Sequence, residues 1–261
     1  MIRRYVCLLL LFLLWTSSAL AETPGNSGEI RERIEREYGI RVLLPDECAA
    51  VLLPDGKEYG PYTPGALSPI ARYAAADPAS GPLTLLEETL ALYPDGFFIR
   101  FTDQGGSLKI LLAESIVMPE HPENTCLGDA FLSGDDYMVC LSLSGFRTDV
   151  VHHELWHAIE WRILAGHPEA FCAEEWMKLN PEGFRYTPLY AGSHPAASLP
   201  EAADGWFVSE YSRTAPGEDR AALWALRFTV PDPLWWEEHL RLKAKLDVME
   251  AEMQRIFGNI Q

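Results

Sequence analysis

Within its 261 residues the chain has no C-x-x-C pair, no internal repeat, no low-complexity tract and, by inspection, no apolar run of about eighteen residues. The first absence excludes the usual thiolate zinc site. The next two exclude a solenoid and a disordered array, and the last excludes a membrane-spanning helix. Basic residues are also scarce: 21 Lys and Arg stand against 38 Asp and Glu, for a formal charge of −17. Such a surface repels nucleic acid and anionic membrane, so neither is expected as a partner.

What is present begins with an address. Arg3 and Arg4 precede a short apolar run from Val6 to Leu14, and Ala19-Leu20-Ala21 places small residues two apart. This pattern predicts a secretory signal over 1–21, removed after Ala21, and a secreted product that keeps no membrane segment. Residues 22–80 read as an N-terminal extension of uncertain role, and 81–261 as the main domain. Past the signal lie Cys48, Cys126, Cys140 and Cys172. An even count in an exported chain suggests disulfides. Cys126 with Cys140 is the expected bridge, one strand returning beside another.

The apolar spacing predicts helices over about 29–38, 82–92, 148–166, 169–179, 218–228 and 232–257, the last continuous, with a further short turn over 97–101. Strands are expected over 40–44, 108–116 and 136–142. Thr148 opens the central helix as its cap. Pro216 stands where a helix N-terminus favours proline. A Pro-, Gly- and Ser-rich connection over 180–206 is long enough to suggest a functional loop.

His153-Glu154-Leu155-Trp156-His157 is an H-E-x-x-H sequence inside the predicted 148–166 helix. Residues four apart share one helical face, so His153 and His157 can reach one metal ion. Glu154 is turned about 100° away and can act as a base on a water at that metal. Zinc suits two imidazoles and asks for a third protein ligand. No histidine stands six residues past His157, and His167 is too far along the same helix. The remaining candidates are Glu174, Glu175, Glu201, Glu210 and Glu218. Among neighbours, His152 points away from the motif face. Glu160 either orients a ligand imidazole or pairs with Arg162 or Arg213, and Asp219 offers the same help to His153. Trp156 is expected to pack into the core behind the metal.

Tyr211-Ser212-Arg213-Thr214, followed by Glu218 seven residues after the tyrosine, resembles the catalytic domain of the lethal-factor-like metallopeptidases, a group that includes the secreted Pro-Pro endopeptidases. Leu92-Tyr93-Pro94-Asp95-Gly96-Phe97-Phe98 also looks like a stretch before the first central strand of related secreted proteins. The likeness spans roughly residues 85–258. It implies that Glu218 is the third zinc ligand, that Tyr211 lines the active site and stabilises an oxyanion, and that the 136–142 strand is the cleft edge on which an extended peptide lies. Glu210 and Glu175 are the reserve ligands. The chain departs from the family in carrying the bulky Trp156 within the motif. It also separates His157 from Glu218 by 61 residues, more than in the better-known members.

These readings converge on an α+β, zincin-like metallopeptidase domain. A small mixed sheet and the active-site helix make one lobe, a C-terminal helical lobe makes the other, and one zinc ion lies between them. The expected function is a secreted zinc endopeptidase acting on peptide or protein, with Glu154 as general base. The alternative is a non-catalytic secreted protein that binds zinc or peptide on the same scaffold.

Overall fold

The computed structural model describes residues 26–44, 47, 80–103, 105–113, 116–118, 121–187 and 205–258. The signal, Cys48, Glu201 and most of the 180–206 connection lie outside the described residues.

Helix α1 (Ser27–Tyr38) starts at Asn26, whose side chain accepts from the Glu29 amide, and stops at Gly39, which takes a left-handed φ of 66°. Strand β1 (Arg41–Leu43) follows, then α2 (Ser80–Leu90) and α3 (Phe97–Asp103). Next come β2 (Leu108–Ala113), β3 (Ile116–Met118), β4 (His121–Cys126), β5 (Gly128–Ser133) and β6 (Asp136–Ser142). The central helix α4 (Thr148–Gly166), the short α5 (Ala173–Lys178) and a 3-10 turn at Tyr211–Arg213 precede α6 (Pro216–Thr229), α7 (Pro233–Glu238) and α8 (Leu240–Phe257).

Four strands form one sheet in the order β1-β2-β6-β5. The first three run parallel and β5 is antiparallel to β6, which makes the sheet mixed. β3 and β4 form a separate antiparallel pair. Strand alternation then assigns two faces. Leu108, Ile110 and Leu112 of β2 join Tyr137, Val139 and Leu141 of β6 in the main core beneath the helices. Leu111 and Ala113 join Met138 and Cys140 in a smaller cluster on the other face, with Leu43, Ile116 and Phe131. Residues 27–44, which the sequence placed in the N-terminal extension, are built into this body: β1 pairs with β2, and Ile30, Ile34, Ile40 and Val42 lie in the main core.

Helix α4 is buried on several sides, through Val151, Leu155, Trp156, Ala158, Ile159 and Ile163. It packs on β5, β6, α2 and, most extensively, α6. A helix so enclosed cannot turn without breaking core packing, and this gives its polar residues fixed directions.

Several expectations need correction. Thr148 is the first helical residue rather than the cap; Arg147 caps with no side-chain hydrogen bond. The helix expected over 232–257 is broken at His239, whose backbone is non-helical at φ −114° and ψ 54° and whose ring stacks on Trp235 at 3.7 Å while Nδ1 lies 2.7 Å from the Trp235 carbonyl. The 136–142 strand is not an edge, since β6 is paired on both sides and β5 is the outer strand. Cys126, Cys140 and Cys172 are free thiols. Cys140 stands opposite Asp129 in the β5–β6 register, so the returning strand does not bring it level with Cys126.

Candidate metal centre

His153 and His157 stand one turn apart on α4, and Glu218 faces them from the first turn of α6. Their ligand atoms all lie within 4.8 Å of one another. Glu218 Oε2 is 3.0 Å from His153 Nε2 and 3.5 Å from His157 Nε2, and the two Nε2 atoms are 3.3 Å apart. A tetrahedral zinc with bonds of about 2.0–2.1 Å separates its ligands by about 3.3 Å, so this triangle has the dimensions of one face of such a site. The donor set, two imidazole nitrogens and one carboxylate oxygen, also suits zinc. The three side chains keep 17%, 14% and 21% of their surface exposed, which leaves an approach for a fourth ligand.

Local sequence explains the geometry. Pro216 at the start of α6 presets the helical φ and forfeits an amide that would have no partner. Glu218 therefore sits in a first turn whose free amides favour negative charge. A Cβ at Gly217 would lie 3.9 Å from the His157 ring, an ordinary contact, so the site does not require glycine there. Trp156, fully buried, packs behind the motif against Phe171 and Trp224.

The charges are strongly coupled. Burial pushes Glu218 up, but the His157 and His153 imidazoles outweigh it and hold the carboxyl far below the ordinary range. Burial works against a charged His157, yet Glu218 outweighs that and raises it.

Glu154 is buried, at 8% exposure, and burial raises its pKa to about 8; His153 opposes the rise, while Asp129 and Glu218 add to it. Its place is made by Gly128 at the head of β5. A Cβ there would meet Glu154 Cγ at 2.6 Å, Glu154 Oε1 at 2.7 Å and Val150 Cγ1 at 2.8 Å. Space rather than backbone conformation requires glycine at this point.

Tyr211 lies beside the histidines, its ring centroid 6.1 Å from that of His153. The turn that holds it is braced by Ser209 and Ser212. The Ser209 amide donates to Ser212 Oγ at 3.0 Å, the Ser212 amide to Ser209 Oγ at 3.2 Å, and Ser212 Oγ to the Ser209 carbonyl at 2.6 Å. Thr214 Oγ1 donates to the Tyr211 carbonyl at 2.7 Å.

The other candidates fall elsewhere. Glu210 pairs with Arg213 and Glu175 with Lys178, both on the surface, so neither reserve ligand belongs to the centre. Among the described residues, the ion-pair partner of Glu160 is Arg220. Asp219 turns away from His153 and binds Lys245, with further bonds from Tyr186 and Trp176. His152 is buried, stacked on Phe228 at 3.8 Å and bonded to the Tyr93 hydroxyl; burial lowers its pKa to about 3, so it is a neutral core residue.

Sequence reasoning missed Asp129. It lies in β5, and burial raises its pKa to about 6, opposed by the Ala130 amide and His157 and reinforced by Glu218. Its only sequence signal is an acid following a glycine at the start of an otherwise apolar strand.

Together, a small mixed sheet, an H-E-x-x-H helix packed on it and a C-terminal helical lobe contributing a distal carboxylate give this α+β fold a zincin-like plan. No family model matches the chain, and no curated protein does. Among solved structures it is similar to a candidate zinc-binding metallo-peptidase from Bacteroides caccae, with 16% identity, a TM-score of 0.46, and coverage of 90% of this chain and 94% of that one.

Proposed function

We propose that the chain is a secreted zinc-dependent endopeptidase. The observation that carries this reading is the convergence of His153, His157 and Glu218 within 4.8 Å, with Glu154 buried beside them. A bound zinc supplies Lewis acidity, polarising a scissile carbonyl and lowering the pKa of a coordinated water towards about 7. The protein's own residues do the rest. Glu154 accepts the proton of the attacking water and passes it to the departing amine. The Tyr211 phenol donates a hydrogen bond to the carbonyl oxygen as negative charge develops there. The outer strand β5 stands beside Glu154 and is the element on which an extended peptide would lie, through backbone pairing. The Tyr211–Glu218 stretch supports a lethal-factor-like variant of this chemistry, and the 1–21 signal supports action outside the cytoplasm.

The direct test is digestion of a peptide library by the purified protein, with chelator and after zinc is restored. Metal-dependent cleavage supports the reading. Zinc binding with no cleavage of any peptide would favour a non-catalytic binding protein.

Two substitutions probe the catalytic geometry. Tyr211→Phe is expected to lower kcat by about 10²–10³-fold, the usual loss for one oxyanion donor, with zinc content intact. Gly128→Ala drives a methyl into the space of Glu154. A displacement of the base by about 1 Å is expected to lower kcat by about 10²-fold, again with zinc retained. Steady-state kinetics with metal analysis of the same samples checks both.

A further inference from the structure

We propose that Glu160 and Arg220 are positioning residues for the metal site: a buried ion-pair clamp that sets the spacing between the helix carrying both imidazoles and the helix carrying Glu218. The proposal rests on the metal-centre reading above.

Glu160 stands three residues past His157 on α4, and Arg220 two past Glu218 on α6, so the pair joins the two ligand-bearing helices next to the ligands themselves. The contact is bidentate. Arg220 Nε donates to Glu160 Oε2 at 2.9 Å and Nη2 donates to Oε1 at 2.5 Å. The indole Nε1 of Trp156 donates to Oε2 at 2.9 Å, so the carboxylate is also tied to the residue before His157. The two side chains are 7% and 8% exposed. The guanidinium carbon lies 5.1 Å from the Phe171 ring and 5.0 Å from the Trp176 ring. A planar fork held in this way loses both hydrogen bonds if either helix slides or rolls.

The first turn of α6 is therefore fixed in three directions by three consecutive residues, each about 100° from the last. Glu218 faces the imidazoles. Asp219 binds the fully buried Lys245 of α8 at 2.8 Å. Arg220 reaches back to α4. A buried ion pair adds little net stability over an apolar pair of similar size, because desolvation offsets the attraction. What it adds is direction, and the direction it fixes here is the approach of Glu218 to His153 and His157.

The test measures zinc affinity of the full chain by competition with a chromophoric chelator, beside the melting point of the metal-free protein. The double variant Glu160→Gln with Arg220→Met removes the ion pair without leaving a buried charge alone, and it keeps an acceptor for the Trp156 indole. It is expected to fold with a metal-free melting point close to the parent's and to bind zinc about 10–100-fold more weakly, as when outer partners of metal ligands are lost. Arg220→Lys keeps the charge but not the fork, and should also weaken zinc binding. Should the double variant fail to fold, the lysine variant decides alone. A folded variant with parental zinc affinity overturns the clamp and leaves the metal centre standing. A parent protein that takes up no zinc overturns the metal-centre reading and the clamp with it.

Discussion

The variant Glu154→Gln is expected to bind zinc as the parent does and to lose peptide cleavage by about 10²–10⁴-fold, the contribution of a positioned acid-base group. The amide has the shape of the carboxylate, so it fits the space that Gly128 leaves beside Val150. It touches none of the three donor atoms that converge on the ion. What it lacks is basicity: it can accept a hydrogen bond from a water but cannot take the proton. The informative result is the separation of two measurements on one sample, zinc near one per chain and cleavage lost. Unchanged cleavage would remove Glu154 from the role of base whatever the metal content.

The second large effect concerns the metal itself. On the reading proposed above, zinc binds only the folded arrangement of His153, His157 and Glu218, so saturating zinc should stabilise the protein by about 4 kcal/mol at a thousand times its Kd. For a domain of this size that corresponds to a rise in Tm of roughly 8–16 °C. Glu218→Ala is expected to lose most of that rise and most of the bound zinc. The metal-free melting point should fall as well, because Glu218 is held ionised by the imidazoles beside it. The sign follows from the coupled pair: the depressed carboxyl's contribution is present above the ordinary carboxylate range and is lost as pH falls below it, while that of the raised His157 is lost as pH rises through its own pKa, so the fall in metal-free melting should be largest in mildly acidic solution. The diagnostic quantity is therefore the difference between zinc-loaded and metal-free melting. A variant that keeps the parental rise would exclude Glu218 as a ligand.

How much of this was legible beforehand follows the range of each interaction. The His153–His157 relation is a property of helical periodicity and can be read directly from four-residue spacing. Pro216 marked the start of α6 by its own chemistry, and Trp156 followed from its place on the buried side of the motif helix. Glu218 could not be reached by spacing; among several acids it was singled out by the likeness of the Tyr211–Glu218 stretch, and the structure brings it to the imidazoles. Interactions set by the tertiary fold were hidden. Arg220 meets Glu160 across 60 residues, and Lys245 meets Asp219 only because α8 packs on α6. Gly128 and Asp129 acquire meaning once β5 becomes the outer strand beside α4. Cys126 and Cys140 looked like a pair by proximity in sequence, but strand register rather than proximity decides which residues face each other. The break at His239 was invisible to apolar spacing, which runs on through it.

The parallel pairing of β1 with β2 and of β2 with β6 has a consequence for the order in which the molecule assembles. Arg41 must meet Lys109, and Lys109 must meet Met138, before the sheet exists. Each meeting closes a long loop before any contact rewards it, which makes the topology one of high contact order and slow folding. His153 and Glu218, 65 residues apart, meet only where α6 packs on α4, the helix that lies on that sheet. On the zinc reading proposed above, the ion is the keystone of an arch already standing, and refolding should proceed at the same rate with or without it.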